Sequence, residues 1–167
     1  MTIKKAGLKV RTYLLLKPLY LSERDAVDDA VSSILFADGF SDEISINPVN
    51  VQRSTLIERI WKKGDYRPPW IWSLIEVMRK CSGTVNARLM SSPSGGGTQR
   101  GVHNCGECDG AALNAVERFS FSQNIKDLEV NPCRCWNTWL SLMASETLLG
   151  TASDVMREID NDLAIGK

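Results

Sequence analysis

Four of the five cysteines in this 167-residue chain stand in two close pairs, and their spacing is the clearest chemical signal it carries. Cys105-Gly106-Glu107-Cys108 is a C-x-x-C, and Cys133-Arg134-Cys135 is a C-x-C reached after 24 intervening residues. Zinc takes four ligands in a tetrahedron with sulfur at about 2.3 Å, a need met by two chelating pairs that a loop brings together. The glycine inside the first pair suits a tight knuckle. The second pair can chelate one ion only if the backbone turns sharply, just after Pro132. The spacing therefore predicts one structural Zn2+ held by Cys105, Cys108, Cys133 and Cys135. An iron–sulfur cluster, a redox-active C-x-x-C and unmetallated core thiols are the alternatives. His103, two residues before the first pair, could replace one cysteine, and Cys81, at the end of an apolar run, reads as a small core residue.

The second group of residues with chemistry to offer is basic. Arg53, Arg59, Lys62, Lys63, Arg67, Arg79 and Lys80 fall on or between two predicted amphipathic helices. The first runs from about residue 52 to 63, with Leu56, Ile57, Ile60 and Trp61 on its apolar side and Gly64 after its end. The second opens at Pro68-Pro69 and presents Trp70, Ile71, Leu74, Ile75 and Met78. Helix, short turn, helix is the outline of a helix-turn-helix, so these seven side chains are the candidate DNA contacts. A plain αα-hairpin shares that outline.

Charge sets limits on this reading. Twenty basic and twenty acidic residues cancel, which excludes a globally basic chromatin-type protein and an acidic disordered tail. The cancellation is uneven along the chain. Residues 51–104 hold nine basic residues against three acids, and 105–167 hold ten acids against five basic residues. Such blocks can focus a positive field on one surface of a neutral molecule; they also describe ordinary solvated helix faces.

The elements that must position these residues read as mostly helical. A strand is possible at 8–16, and Ser22 opens a helix carrying Ala26, Val27, Ala30, Val31, Ile34 and Leu35 that Gly39 closes. The segment 44–51, with Pro48, reads as a loop or weak strand. The Ser/Gly-rich stretch around 91–97 lacks the Gly-Lys-Ser/Thr of a phosphate loop and reads as a basic loop or linker. Asp109 opens a further helix with Ala112, Leu113, Ala115, Val116 and Phe119. Another is expected from 131–132 to 149, and an acidic last helix from 151.

The expected fold is a mainly α small helical domain with helix-turn-helix-like hairpins and an inserted zinc-binding element. Residues 1–81 form the N-terminal helical part, 82–104 the linker and 105–167 the zinc element with a C-terminal hairpin. No stretch reads as a membrane span or signal peptide, so a cytoplasmic protein is expected. With one histidine and no nucleophile elbow, P-loop, metalloprotease helix or paired-carboxylate motif, the chain is not expected to be an enzyme.

Cys105-Gly106-Glu107-Cys108-Asp109-Gly110 resembles the C-x-x-C-x-G half of the zinc element in the late antitermination (Q) proteins of lambda-like phages. The second pair departs from that pattern, with C-x-C followed by Trp136 in place of a second C-x-x-C-x-G. The resemblance implies a zinc-stabilised DNA-binding transcription regulator that engages RNA polymerase in the host cytoplasm. The alternative is a zinc-containing protein–protein interaction module without nucleic-acid binding.

Overall fold

Three short strands run parallel in one sheet, in the order β1-β2-β3. The computed structural model describes residues 2–144, with side chains from Lys4 onward. Its elements are α1 (Thr2–Lys5), β1 (Arg11–Leu16), α2 (Glu23–Asp38), β2 (Glu43–Pro48), α3 (Leu56–Lys63), α4 (Ile71–Cys81), β3 (Arg88–Met90), α5 (Asp109–Ser122), a 3-10 turn (Ile125–Leu128) and α6 (Cys135–Ala144). The acidic helix expected from 151 lies outside the described residues.

The sheet corrects the mainly α expectation: the described residues form an α/β fold. The reasons it is faint in sequence are physical. Pro48 is the last residue of β2, where a missing N–H costs least. β3 is only three residues long and owes its order to pairing with β2, Ser45 standing opposite both Tyr13 and Met90.

Strand alternation then sorts the side chains. Leu16, Ile44, Ile46 and Leu89 enter the core beneath Ala26, Val27, Ala30 and Ile34 of α2 and Leu74, Val77 and Met78 of α4. Burying each large apolar side chain contributes about 1.5–3 kcal/mol. The opposite face carries Arg11, Tyr13 and Leu15, all exposed.

Caps set the helix limits. Ser22 accepts from Asp25 N at 3.1 Å to start α2. Thr55 accepts from Glu58 N at 3.3 Å to start α3, and Gly64, at φ +88°, ends it in the left-handed region that glycine tolerates. Ser22, Gly39 and Gly64 bound the helices as expected from sequence, whereas α3 starts at Leu56 and not at about 52, and the two basic helices do not make a DNA-reading pair. In α4, Ile71, Trp72, Ser73, Leu74, Ile75, Val77, Met78 and Cys81 are buried, which leaves outward only a narrow strip of Glu76, Arg79 and Lys80. α3 packs instead into a small separate cluster of Val51, Ile60 and Tyr66 with Leu19, Tyr20 and Val49.

Two polar networks fasten the elements. The buried Glu23 carboxylate accepts from Lys17 Nζ at 2.5 Å, Ser73 Oγ at 2.6 Å and Trp70 N at 2.8 Å, and Trp139 Nε1 donates to Ser73 Oγ at 2.8 Å. The end of β1 and the starts of α2 and α4 are thereby joined to α6. At the far edge of the sheet, Gln123 donates from Nε2 to Leu89 O and accepts from Leu89 N, so a side chain replaces a fourth strand.

Candidate metal centre

The knuckle is shaped before any ligand enters it. Asp109, the first residue of α5, is buried, and its Oδ1 accepts from Asn104 N at 3.1 Å and Gly106 N at 3.0 Å. That bridge curls the chain around the first pair, with Gly106 at φ +94° making the turn. The second pair arrives with the start of α6, whose Trp139 is anchored through Ser73.

All four Sγ atoms of Cys105, Cys108, Cys133 and Cys135 lie within 4.8 Å of one another. Cys105 and Cys108 are 3.9 Å apart, Cys105 and Cys133 3.6 Å, and Cys108 and Cys135 3.6 Å. A tetrahedron with arms of about 2.3 Å has edges of about 3.8 Å, so the spacing suits one ion inside the four sulfurs. It is far longer than the disulfide distance of about 2.05 Å, and all are free thiols. A multi-iron cluster would hold sulfurs of different irons farther apart. The four cysteines can bind a metal ion.

Donors around the sulfurs favour thiolates. Asn104 Nδ2 donates to Cys108 Sγ at 3.4 Å, and the indole Nε1 of buried Trp72 donates to Cys135 Sγ at 3.4 Å. Burial raises the Cys105 thiol, but the backbone N–H groups of Cys108 and Glu107 and hydrogen bonds from Cys133 and Cys135 outweigh it, leaving the group at about 7. Burial dominates at the other two perturbed thiols: Cys108 is raised, and Cys135 is pushed up to about 12 despite the Trp72 bond. Asn104, Trp72 and Asp109 carry no site signal in the sequence beyond the adjacency of Asn104 to Cys105 and of Asp109 to Cys108.

His103 stays outside the sulfur group, with Nδ1 at 2.8 Å from Gly101 O, and burial lowers its pKa. Cys81 is fully buried in the main core, and burial pushes its thiol up to about 11.

The seven basic residues are dispersed. Arg53, Arg59, Lys62 and Lys63 are exposed on or just before α3. Arg67 turns inward: it donates to Pro68 O, His103 O and Asn104 O at 2.9, 2.8 and 3.0 Å and lies 4.0 Å over the Trp70 ring. It thus braces the loop leading into the knuckle. Arg79 and Lys80 are exposed on the last turn of α4, the opposite end of that helix from Trp72 and the cysteines.

Comparison with known proteins bears on what this site belongs to. The chain is 45% identical over 146 residues to archaeosine synthase subunit beta of Methanosarcina acetivorans and 46% identical over 140 residues to that of Thermococcus kodakarensis. It is also 36% identical over 141 residues to an uncharacterised protein, MJ0550, of Methanocaldococcus jannaschii. The three matches cover 87%, 81% and 81% of this chain and 42%, 42% and 38% of the relatives. The first takes in all four cysteines wherever it begins, because it spans 146 of 167 residues. No protein-family model matches the chain, and no solved structure does.

These matches overturn the likeness to phage antiterminators and, with it, the reading as a DNA-binding transcription regulator working on RNA polymerase. The alternative, a zinc-containing protein–protein interaction module without nucleic-acid binding, agrees with them better than that reading does, in having no DNA role. Among the described residues no helix is long and apolar enough to cross a membrane. The chain is thus similar to about two fifths of the archaeosine synthase subunit beta proteins it matches.

Proposed function

We propose that this chain is a zinc-stabilised portion of an enzyme assembly that makes archaeosine, a modified nucleoside of tRNA, as its relatives' name implies. The observation that carries the reading is the 45% identity over a span including every residue of the sulfur site. Zn2+ is the ion that best fits the donors: four cysteine sulfurs at single-ion spacing, in a soft set that disfavours magnesium and calcium. Cys105, Cys108, Cys133 and Cys135 would fill all four positions. A shell closed in this way holds structure rather than activating water, so the role assigned to the site is to pin the start of α6 to the start of α5. Catalysis is assigned to the assembly and not to this centre.

The test is the archaeosine content of tRNA nucleosides, measured by mass spectrometry after deleting the gene in its host. Archaeosine should fall, recover with the intact gene and stay low with Cys105→Ser plus Cys108→Ser. Unchanged archaeosine in the deletion strain would overturn the reading.

A further inference from the structure

We infer that the exposed basic side of α3, with Arg53 just before it, is a docking surface for an RNA backbone at the carboxyl end of the parallel sheet. The partner class rests on the archaeosine reading above; the surface rests on the following geometry.

α3 is held by its apolar side. Leu56, Ile57, Ile60 and Trp61 pack with Val51 and Tyr66 against Leu19, Tyr20 and Val49, residues that follow directly on β1 and β2. The helix therefore sits where those strands end, and ligands of open parallel sheets gather beyond the carboxyl ends of the strands. The cysteine centre lies toward the same end, since Trp72 in the first turn of α4 reaches Cys135.

With the apolar side down, the cations must face outward. Arg59, Lys62 and Lys63 stand at i, i+3 and i+4 and share one side of the helix, with exposed Arg53 upstream. Glu58, the acid within α3, is turned inward. It accepts from Ser54 N at 2.8 Å and from Arg100 at 2.5 Å, and Arg100 itself lies 4.8 Å over the Trp61 ring. Arg100 thus neutralises Glu58 from the protein side, so that Glu58 offsets little of the charge of outward Arg53 and Arg59. Lys62 does reach Glu58 at 3.6 Å, but it is 62% exposed, and a surface pair of that length holds a lysine weakly. Among the described residues, exposed Asp65 lies just past the helix, beside Arg53, Arg59 and Lys62. At the other end of the fold the balance differs: Lys80 pairs with Asp28 at 3.5 Å.

The experiment is fluorescence anisotropy of the metal-loaded full chain with a fluorescein-labelled RNA hairpin, across a series of salt concentrations. Binding should weaken steeply with salt, with a log–log slope of roughly 0.7 per phosphate contact. Arg59→Glu with Lys62→Glu should raise Kd at least about tenfold and flatten that slope, and Arg59→Gln with Lys62→Gln should do the same more weakly. Arg79→Glu with Lys80→Glu should leave Kd unchanged. The surface is overturned if the intact chain does not bind the hairpin, or if the α3 reversals bind as the wild type does. It is also overturned if the α4 pair weakens binding equally, or if a DNA duplex of the same length binds as tightly. RNA binding through α3 with unchanged archaeosine would overturn the functional reading alone. Archaeosine lost on deletion, with RNA binding indifferent to α3, would overturn the surface alone.

Discussion

At the residue scale the metal centre depends as much on its donors as on its sulfurs. Trp72 packs edge-on to Trp136 at 5.0 Å, and Trp72→Phe keeps a smaller aromatic ring there while removing the N–H that reaches Cys135. Outer-shell groups of this kind tune metal affinity by roughly 10–100-fold, so chelator competition should show a loss in that range while the fold persists. Unchanged affinity would show that the indole only packs. Acid should compete with the ion as well. Cys108 and Cys135 lie above the ordinary thiol value, so metal binding must displace protons from them at neutral pH. Apparent affinity should rise with pH, and a titration showing it flat from mildly acidic to mildly alkaline pH would contradict thiolate ligation. The cysteine pairs were legible in the sequence because chelation imposes short spacing. Trp72 and Asn104 were not, because Trp72 lies 63 positions from the sulfur it serves and Asn104 looks like any loop residue.

At the element scale, two side chains do what backbone usually does. Glu23 gathers the starts of α2 and α4, and Glu23→Ala would leave Lys17 buried without its counter-charge. Breaking a buried pair in this way costs about 3–5 kcal/mol, which denaturant titration should register. Gln123→Ala would strip both backbone partners from Leu89, with a cost of about 1–3 kcal/mol and faster amide exchange at Leu89. Slow exchange there in the variant would mean that the edge is protected in another way. The helices were readable from their caps and apolar spacing, Ser22 to Gly39 being the clearest case. β2 shows only as a loop or weak strand and β3 not at all, since a terminal proline and a three-residue strand give little local propensity and the sheet is stabilised by packing between distant segments.

At the scale of the whole molecule, neutral net charge and separate charge blocks describe the chain correctly, yet they do not identify its partner. The basic block became two unlike parts: an outward α3, and a buried α4 with Arg67 turned toward the knuckle. Helix-turn-helix patterning could not reveal this, because the same amphipathic pair serves here inside the connection from β2 to β3. On the proposed reading, Cys105, Cys108, Cys133 and Cys135 together hold one structural zinc ion. The decisive measurement is metal analysis of the purified chain beside Cys105→Ser and Cys133→Ser. One equivalent of zinc in the wild type, lost from both variants together with cooperative unfolding, is the predicted result. A wild-type chain that folds cooperatively without metal, or that carries iron with inorganic sulfide, would contradict it.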